Sequence, residues 1–346
     1  MNEANRVESS RVEPSRIESN EVQATLVEAV NLALAHELAA DPDVLVFGED
    51  VGHNGGVFRA TDGLQQRFGA ERVFDTPLAE GLIAGMAVGM AAQGLRPVAE
   101  IQFSGFIYPA IDQIVNHAAR LRHRTRGRLS CPMVLRAPTG GGIHAPEHHS
   151  ESNEAMFAHM PGLRVVIPSS PARAYGLLLA AIRDPDPVIF FEPVRIYRLK
   201  KQTFQNDGEA LPLDVAWVLR DGTDVTLVSW GAAVHDCLAA AEQLDEEGIS
   251  AEVIDLATLK PFDEITVLDS VARTGRCVIV HEAARTAGFG AEIAALLVER
   301  GLMSLMAPVL RVTGYDTIMP LSRNEQVYIP DVARIAAAVR QTLEFG

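Results

Sequence analysis

The side chains best suited to chemistry in this sequence are acids and a histidine that follow short apolar runs. Glu80 comes directly after Phe74-Asp75-Thr76-Pro77-Leu78-Ala79, where Pro77 ends a predicted strand because proline has no backbone N–H to donate. A helical pattern then begins, so Glu80 lies in a first helical turn, where the helix dipole favours an acid. His149 lies in the polar string Glu147-His148-His149-Ser150-Glu151-Ser152. Glutamate and histidine commonly transfer protons, which predicts general acid–base chemistry.

Other polar residues follow predicted strands in the same way. Glu49 comes after the apolar run Val44–Gly48, and Gln102 lies near the end of the run Arg96–Phe103. A glycine loop at residues 140–142 follows a further run and leads toward the histidines. In sheets of parallel strands, ligands bind beyond the carboxyl ends of the strands. The sequence therefore predicts that these residues share one edge of a sheet.

Apolar runs of strand length alternate with helical patterns along most of the chain. The strand candidates are Val44–Gly48, Val73–Thr76, Arg96–Phe103, Met133–Ala137, Arg164–Pro168 and Val188–Glu192. The helix candidates are Gln23–Ala40, Gly81–Gln93, Tyr108–Arg124 and Pro171–Arg183. This alternation predicts an α/β fold in which a doubly wound parallel sheet is covered by helices on both faces.

The alternation breaks at residues 193–222, where the run Arg198–Gly208 is polar, basic and without periodicity. Such a stretch is typical of an interdomain linker. A second α/β set follows, with strand candidates Val225–Ser229, Ala251–Leu256, Cys277–His281 and Pro308–Val312 and helix candidates Val234–Glu247 and Ala291–Glu299. We therefore expect two domains, at residues 22–197 and 223–346, joined by a linker at residues 198–222.

Residues 1–21 contain a charged pentad repeat, Arg6-Val7-Glu8, Arg11-Val12-Glu13 and Arg16-Ile17-Glu18. This composition buries too little apolar surface to offset the entropy of ordering, which predicts a disordered tail. The segment lacks the apolar core of a secretory signal. Its glutamates also argue against a mitochondrial presequence.

Composition narrows the class of protein. The chain has 30 Lys plus Arg against 45 Asp plus Glu, a formal net charge of −15 that disfavours nucleic acid as a partner. No apolar run reaches the roughly 20 residues that a membrane helix needs. The three cysteines, Cys131, Cys237 and Cys277, lack metal-type spacing, so we expect small buried residues in a reducing cytoplasm.

Three glycines, Gly81, Gly85 and Gly89, are spaced four apart on one face of the helix that begins near Glu80. A glycine inside a helix costs about 1 kcal/mol relative to alanine. Three of them on one stripe therefore predict that another backbone approaches the helix closely, because only glycine leaves that space.

Four motifs then point to a family: Gly48-Glu49-Asp50-Val51, Gly55-Gly56-Val57-Phe58-Arg59, Asp75-Thr76-Pro77-Leu78-Ala79-Glu80 and Glu100-Ile101-Gln102-Phe103. With them, the sequence from Val22 to the C-terminus resembles the β subunit of thiamine-diphosphate-dependent 2-oxo acid dehydrogenases. That subunit belongs to the decarboxylase component of the pyruvate or branched-chain 2-oxo acid dehydrogenase complex. The resemblance implies a transketolase-like pyrimidine-binding domain followed by a transketolase-like C-terminal domain. It supplies no physical account of Arg59.

The resemblance assigns the cofactor-activating role to Glu80. In this family a glutamate protonates a ring nitrogen of the aminopyrimidine, and the exocyclic imine then removes the proton of the thiazolium carbon. Burial raises the pKa of a carboxyl group and a helix N-terminus lowers it, so the sequence leaves the protonation state open.

Four more residues match positions near the cofactor by the same resemblance. Leu78, Gln102 and Phe106 match residues that line the aminopyrimidine, a flat ring with polar edges that suits an apolar shelf, an amide and an aromatic side chain. Ordinary core packing is the alternative for Phe106. Glu49 matches an acid in a polar channel between paired active sites, with a simple turn acid as the alternative.

His149 matches a family histidine that precedes a Ser-x-Ser pattern. That histidine positions substrate and handles protons during acyl transfer to the lipoyl group, and histidine suits the task because its pKa is near neutrality. Ser150 and Ser152 select His149 and leave His148 as a loop residue. Asn153 stands where relatives often carry proline, which leaves the rigidity of the loop open.

The resemblance also implies the partners. Family members bind the diphosphate through Mg²⁺ with a G-D-G motif, and this sequence has none; Asn206-Asp207-Gly208 is the nearest string. Thiamine diphosphate is therefore expected to be shared with an α subunit that holds most of the Mg²⁺ contacts, in an α2β2 heterotetramer, and no metal ligand is assigned to this chain. The acyl group would pass to a lipoyl-bearing dihydrolipoamide acyltransferase core. The sequence leaves three substrates open: pyruvate, branched-chain 2-oxo acids and acetoin. For acetoin the chain would be the β subunit of an acetoin dehydrogenase.

Three rival interpretations are weaker. His144-Ala145-Pro146-Glu147-His148 matches a zinc hydrolase string that needs both histidines on one helix, and Pro146 disfavours a helix. Gly288-Phe289-Gly290 is a weak nucleotide-binding match, since Ile293 stands where a third glycine is needed. A purely structural subunit is disfavoured because it has no use for the two proton-transfer residues described above.

Overall fold

Strands and helices alternate through residues 20–345, the part of the chain that this computed structural model describes. The strands are β1 (Glu21–Ala24), β2 (Val44–Gly48), β3 (Val73–Asp75), β4 (Arg96–Glu100), β5 (Val134–Thr139), β6 (Arg164–Val166), β7 (Val188–Pro193), β8 (Gln202–Gln205), β9 (Trp217–Arg220), β10 (Val225–Ser229), β11 (Ala251–Asp255), β12 (Thr258–Lys260), β13 (Cys277–Ala284) and β14 (Leu310–Gly314). The pentad repeat lies outside the described residues.

The helices cover these strands. They are α1 (Leu26–Ala40), α2 (Leu64–Phe68), α3 (Glu80–Ala92), α4 (Leu121–Arg124), α5 (Glu154–Ala158), α6 (Pro171–Arg183), α7 (Ala233–Asp245), α8 (Glu264–Thr274), α9 (Gly290–Gly301), α10 (Glu325–Tyr328) and α11 (Val332–Leu343). No helix within residues 20–345 is long and apolar enough to cross a membrane.

The larger sheet has seven strands in the order β12-β6-β7-β5-β4-β2-β3, and all its pairs are parallel except β12 with β6. Its central strands β5 and β7 are buried along their whole length, as expected for a parallel sheet covered on both faces. Helices α1 and α6 pack on one face, and α3 packs on the other. The predicted α/β doubly wound fold is confirmed.

The second sheet has five strands in the order β14-β13-β10-β11-β9, with only β9 antiparallel to its neighbour. Helices α7 and α11 cover one face, while α8 and α9 cover the other. All three cysteines are buried and free, as expected, and burial raises the thiol pKa of Cys131 and Cys277 to about 12.

The two sheets are physically joined. Strand β12 comes from the C-terminal half of the chain but extends the larger sheet by pairing with β6. One buried apolar cluster contains Phe157 and Phe191 from the first half together with Trp230 and Phe289 from the second. The halves therefore share core, and a residue of one half can position a residue of the other.

The polar stretch at residues 198–222 is more ordered than its pattern predicts. It contains β8, which pairs antiparallel with β1, and β9, which joins the second sheet. Backbone pairing does not require an apolar side-chain pattern, so hydropathy alone missed both strands. Residue Glu21, at the end of the expected tail, already belongs to β1.

The helix predicted at Tyr108–Arg124 is broken into three pieces. A 3-10 turn at Tyr108–Ala110 is followed by a π-helical segment at Asp112–Ala118 and then by α4. Pro109 lies inside the first turn and cannot donate a helical hydrogen bond, which accounts for the irregular start.

The glycine stripe of α3 makes only part of the expected contact. A Cβ at Gly81 would lie 3.2 Å from the carbonyl oxygen of Pro109, and one at Gly85 would lie 3.5 Å from the side-chain oxygen of Gln113. A Cβ at Gly89 would have no atom within 4 Å. Within the described chain, close backbone approach is confirmed for Gly81 alone.

Candidate active site

The predicted site residues follow four strands that are neighbours in the larger sheet. In the order β5-β4-β2-β3, the register places Gly48 beside both Asp75 and Glu100, and Glu100 beside Arg136. All four strands are parallel, so their carboxyl ends meet at one edge. Glu49, Gln102, Glu80 and the loop after β5 therefore leave the sheet on the same side.

Asp75 holds the loop after β2 against the end of β3. Its Oδ1 accepts the backbone N–H of Gly52 at 2.7 Å, and its Oδ2 accepts that of His53 at 3.3 Å. A Cβ at Gly52 would lie 2.4 Å from the Gln65 amide nitrogen and 3.1 Å from Asp75 Oδ2, so the loop comes this close because Gly52 has no side chain. This contact brings Glu49 next to the segment that enters α3.

Glu49 and Glu80 form an acid pair at this edge. Glu49 is buried, and its Oε1 has no hydrogen-bond partner within the described residues. Burial raises the pKa of Glu49, and the negative charges of Glu80, Asp50 and Glu100 act in the same direction. The backbone N–H of Ala79 opposes the shift. An orphaned acceptor beside a second acid is suited to a ligand that brings donors or protons.

An apolar shelf lies next to this acid pair. Leu78 is 80% exposed and Leu82, one helical turn further along, is 47% exposed. Gln102, predicted for the same site, donates its amide N–H to Asp50 Oδ2 at 3.3 Å, so its amide lies beside the loop that carries Glu49. Exposed leucines next to polar groups are typical of a surface that a ring-shaped ligand or a partner covers.

His149 lies in an aromatic cage. Its ring meets Phe103 edge-on at 4.6 Å between centroids and Phe106 edge-on at 5.0 Å. Its Nδ1 is buried and has no hydrogen-bond partner in the described part of the chain. Burial lowers the pKa of His149, and the neighbouring His148 lowers it further, while Glu147 opposes the shift. The neutral imidazole is therefore favoured, with a free nitrogen for proton transfer.

His148 lies beside its neighbour without entering the cage. Its side chain is exposed, 4.3 Å from the His149 ring and 5.4 Å from the Phe106 ring between centroids. Phe106 thus contacts both histidines. Phe103, whose contact with His149 is the shorter one, was missed from the sequence because an aromatic residue after an apolar strand looks like core.

A buried ion cluster supports the sheet beneath the site. Arg136 on β5 donates to Glu192 on β7 at 2.6 and 3.0 Å and to Glu100 on β4 at 2.9 Å. The Tyr197 hydroxyl donates to Glu192 Oε2 at 2.5 Å. Burial opposes the charged form of Arg136, but the two carboxylates raise its pKa overall. The only signal in the sequence was a charged residue inside each of three apolar strands.

Arg59 makes its hydrogen bond within the loop that follows Glu49. Its guanidinium donates to the carbonyl oxygen of Asn54, and its backbone has a φ of +66°. Arg198 donates to the carbonyl of the preceding Phe58 at 2.6 Å. These contacts give Arg59 a local role in closing the turn that follows Glu49.

The zinc hydrolase string has the wrong geometry. His144 has a φ of +59°, and only Glu147–His149 form a short 3-10 turn, so the two histidines do not share a helix. His144 Nδ1 instead lies 2.8 Å from Glu325 Oε2. Within residues 20–345 no group of three or more His, Cys, Asp or Glu side chains is arranged to hold a metal ion.

The Gly288-Phe289-Gly290 string is explained by packing. A Cβ at Gly288 would lie 2.7 Å from the Cε1 of His281, and one at Gly290 would lie 2.7 Å from its Nε2. The two glycines therefore make room for a buried imidazole that also stacks on Trp230 at 5.2 Å. No phosphate is needed to account for them.

Comparison with known proteins gives the same fold. The family described as the transketolase pyrimidine binding domain matches residues 22–200, and the transketolase C-terminal domain matches residues 214–335. A solved structure described as a split gene transketolase, inactive β4 tetramer, aligns with a TM-score of 0.77 at 24% identity. It covers 94% of this chain and 99% of that one, and at this identity the likeness shows the fold alone.

Two curated relatives are much closer in sequence. Pyruvate dehydrogenase E1 component subunit beta of Acholeplasma laidlawii is 50% identical over 315 residues, which cover 91% of this chain and 96% of the relative. The protein of the same name from Bacillus subtilis is 49% identical over 319 residues, which cover 92% of this chain and 98% of the relative.

Proposed function

Because the chain belongs to the family of pyruvate dehydrogenase E1 β subunits, a thiamine-diphosphate-dependent dehydrogenase component, we propose that it acts in the oxidative decarboxylation of pyruvate. The names of both curated relatives favour pyruvate over branched-chain 2-oxo acids and acetoin. The acyl group formed would pass to lipoyl-lysine on a dihydrolipoamide acyltransferase core.

The described residues fit an aminopyrimidine ring. Leu78 offers an exposed apolar face, and Gln102 offers an amide beside the loop that carries Glu49. Glu49 offers a buried oxygen that has no partner among the residues the structure describes. When bound, thiamine diphosphate supplies the carbon centre for decarboxylation. The residues of this chain bind the ring, exclude water from it and hold a proton at its nitrogen.

Glu80 is the residue we assign to that proton. It is the first residue of α3, half-buried beside a second acid, and its backbone is fixed by the helix. We assign the aromatic wall of the same pocket to Phe106, whose ring also contacts the histidine. Glu49 would face the same bound ring, since the negative charge of Glu80 contributes to the raised pKa of Glu49.

His149 is assigned to proton transfer during acyl transfer. Its pKa is lowered by burial and by His148, so the ring is neutral at physiological pH and can accept a proton. The aromatic cage supplies a shaped surface for the ring, and within the described residues no hydrogen-bond partner competes for Nδ1.

An α subunit would complete the cofactor site. This sequence has no G-D-G motif, and the acids of the site would repel a diphosphate without its cation. We therefore expect calorimetry of the chain with thiamine diphosphate and Mg²⁺ to give weak or no binding, and clear binding after an α subunit carrying G-D-G is added. Micromolar binding and turnover by the chain alone would contradict the shared site.

One observation carries the proposal: acids, an amide and a caged histidine converge at the carboxyl ends of four adjacent strands. The test is a substrate screen of the reconstituted α/β pair with pyruvate, branched-chain 2-oxo acids and acetoin. We expect the highest kcat/KM for pyruvate. A preference for a branched-chain acid or for acetoin would overturn the substrate assignment and leave the family assignment intact.

A further inference from the structure

The loop that carries the candidate catalytic histidine spans residues 140–152 and is called here the histidine loop. Its base is closed by the Gly140 N–H, which donates to the Glu151 carbonyl at 2.8 Å. A short turn precedes Ser150, with His149 N–H donating to Pro146 at 3.0 Å. Three further amides at the start of the loop are held by carboxylates from the C-terminal half of the chain.

Glu282 holds both ends of the histidine loop. It lies near the end of β13, and its Oε1 accepts the Gly141 N–H at 2.5 Å and the Ser152 hydroxyl at 3.3 Å. Both contacts use the same oxygen atom. Removing the side chain would release two points of the loop at once.

Glu325 holds the tip of the loop. This first residue of α10 has a fully buried side chain. Its Oε1 accepts the Gly142 N–H at 2.6 Å, and its Oε2 accepts the His144 N–H at 3.1 Å and lies 2.8 Å from His144 Nδ1. Gly142 and His144 both have positive φ angles, +93° and +59°, and a non-glycine residue such as His144 seldom adopts this conformation. The carboxylate of Glu325 therefore stabilises a turn whose backbone is unfavourable by itself.

The glycines of the loop make these contacts possible. A Cβ at Gly140 would lie 2.8 Å from Glu282 Oε1, and one at Gly141 would lie 3.1 Å from Glu325 Oε1. A side chain at either position would push the carboxylates away from the amides that they accept. At Gly142 the φ of +93° favours glycine, and a Cβ there would lie 2.6 Å from Arg195 Cδ, so protein contacts account for the run Gly140-Gly141-Gly142 without a bound phosphate.

The position of the imidazole depends on the backbone of the loop. Among residues 20–345, Nδ1 of His149 has no hydrogen-bond partner, so none of them orients the ring through that nitrogen. On the other side of the loop, the His148 carbonyl lies so close to Gly105 that a Cβ there would be 1.9 Å from it. The histidine loop therefore packs between Gly105 of the N-terminal half and the carboxylates of Glu282 and Glu325 of the C-terminal half.

We propose that Glu282 and Glu325 are positioning residues for His149. This inference rests on the proposed function of His149 in acyl transfer. By accepting the loop amides, the two acids place the imidazole against Phe103 and Phe106 and couple the C-terminal half of the chain to the chemistry. A displacement of about 1 Å can cost on the order of a hundredfold in rate, so loss of either anchor slows the step that uses the histidine.

The test uses the reconstituted α/β complex and reductive acylation of a free lipoyl domain. We expect Glu325→Ala and Glu282→Ala to slow acyl transfer by about tenfold to a hundredfold. Glu282→Gln should retain most of the rate, since its amide oxygen can keep both contacts of Oε1. The matched control is Glu252→Ala. Glu252 is a buried acid on β11, another strand of the second sheet, and its carboxylate lies 2.7 Å from the guanidinium of Arg273 on α8.

A double-mutant cycle separates positioning from a general loss of stability. In a His149→Ala background, adding Glu325→Ala or Glu282→Ala should cause no further slowing, because the residue they position is gone. If the effects multiply, or if the acid variants transfer at the wild-type rate while His149→Ala is slow, the positioning proposal is wrong. If His149→Ala itself transfers normally, the proposed function of the histidine is wrong. If Glu325→Ala does not fold, the test is made with the Glu282 variants, which we expect to fold because Glu282 is only partly buried.

Discussion

Glu49 and Glu80 follow different strands, yet their carboxyl groups interact: the negative charge of Glu80 contributes to the raised pKa of Glu49. Glu49 Oε1 has no partner among the described residues. A buried carboxyl oxygen with an unused acceptor site is suited to a bound ring that brings a hydrogen-bond donor or a proton.

Glu80→Gln should nearly abolish turnover without changing the fold. The glutamine has almost the same shape but cannot exchange a proton, and general acid–base catalysis contributes about a hundredfold or more. Hydrogen–deuterium exchange at the cofactor carbon would be measured by NMR in the assembled α/β complex. Glu71→Gln, an exposed acid of the same domain, serves as the control. Exchange at the wild-type rate in Glu80→Gln would rule out the assignment.

His149→Ala should impair transfer to the lipoyl domain more than His148→Ala does. His149 has two edge-on aromatic contacts and an Nδ1 without a hydrogen-bond partner among residues 20–345, whereas His148 is exposed. We expect the ratio between the two variants to be about tenfold or more in reductive acylation. Equal rates for the two variants would mean that the histidine or its role has been misassigned.

Glu154→Gln should flatten the pH dependence of stability. Burial raises the pKa of Glu154 to about 7 from an ordinary value of 4.5, partly opposed by the Trp230 N–H. The stability that the raised pKa provides is complete below pH 4.5 and is lost as pH rises through about 7. The loss amounts to about 3 kcal/mol.

The glutamine of Glu154→Gln stays neutral at all these pH values and can still accept the Trp230 N–H. The loss of stability that ionisation of Glu154 causes is therefore absent from the variant. Chemical denaturation at pH 5 and pH 8 measures the free energy of unfolding of both proteins. At pH 8 we expect Glu154→Gln to be more stable than wild type. Glu71→Gln is again the control. If the free energy of unfolding of Glu154→Gln changes between pH 5 and pH 8 as much as that of wild type, Glu154 does not titrate in this range.

Gly89→Ala should stabilise the chain by about 1 kcal/mol, the helix propensity difference between the two residues. A Cβ at Gly89 meets no atom within 4 Å, whereas one at Gly81 would lie 3.2 Å from the Pro109 carbonyl. Gly81→Ala is therefore the matched control and should gain less or lose stability. Thermal unfolding of both variants measures the difference, and equal gains would contradict the close approach at Gly81.

Apolar runs were sufficient to predict most of the architecture. The bounds of β2, β10 and α6 agree with the pattern to the residue, since buried parallel strands and an amphipathic helix each leave a clear signal. The meeting of Glu49, Gln102 and Glu80 at one edge also follows from the sequence, because parallel strands place their carboxyl ends together.

Tertiary structure alone decided the rest. The pairing of β1 with β8 and the addition of β12 to the larger sheet rely on backbone hydrogen bonds between segments about 180 and 90 residues apart, which no local pattern encodes. The grip of Glu282 and Glu325 on the histidine loop has the same origin. The sequence shows Glu282 and Glu325 only as two acids in the second half of the chain, and only the folded chain determines which amides they accept.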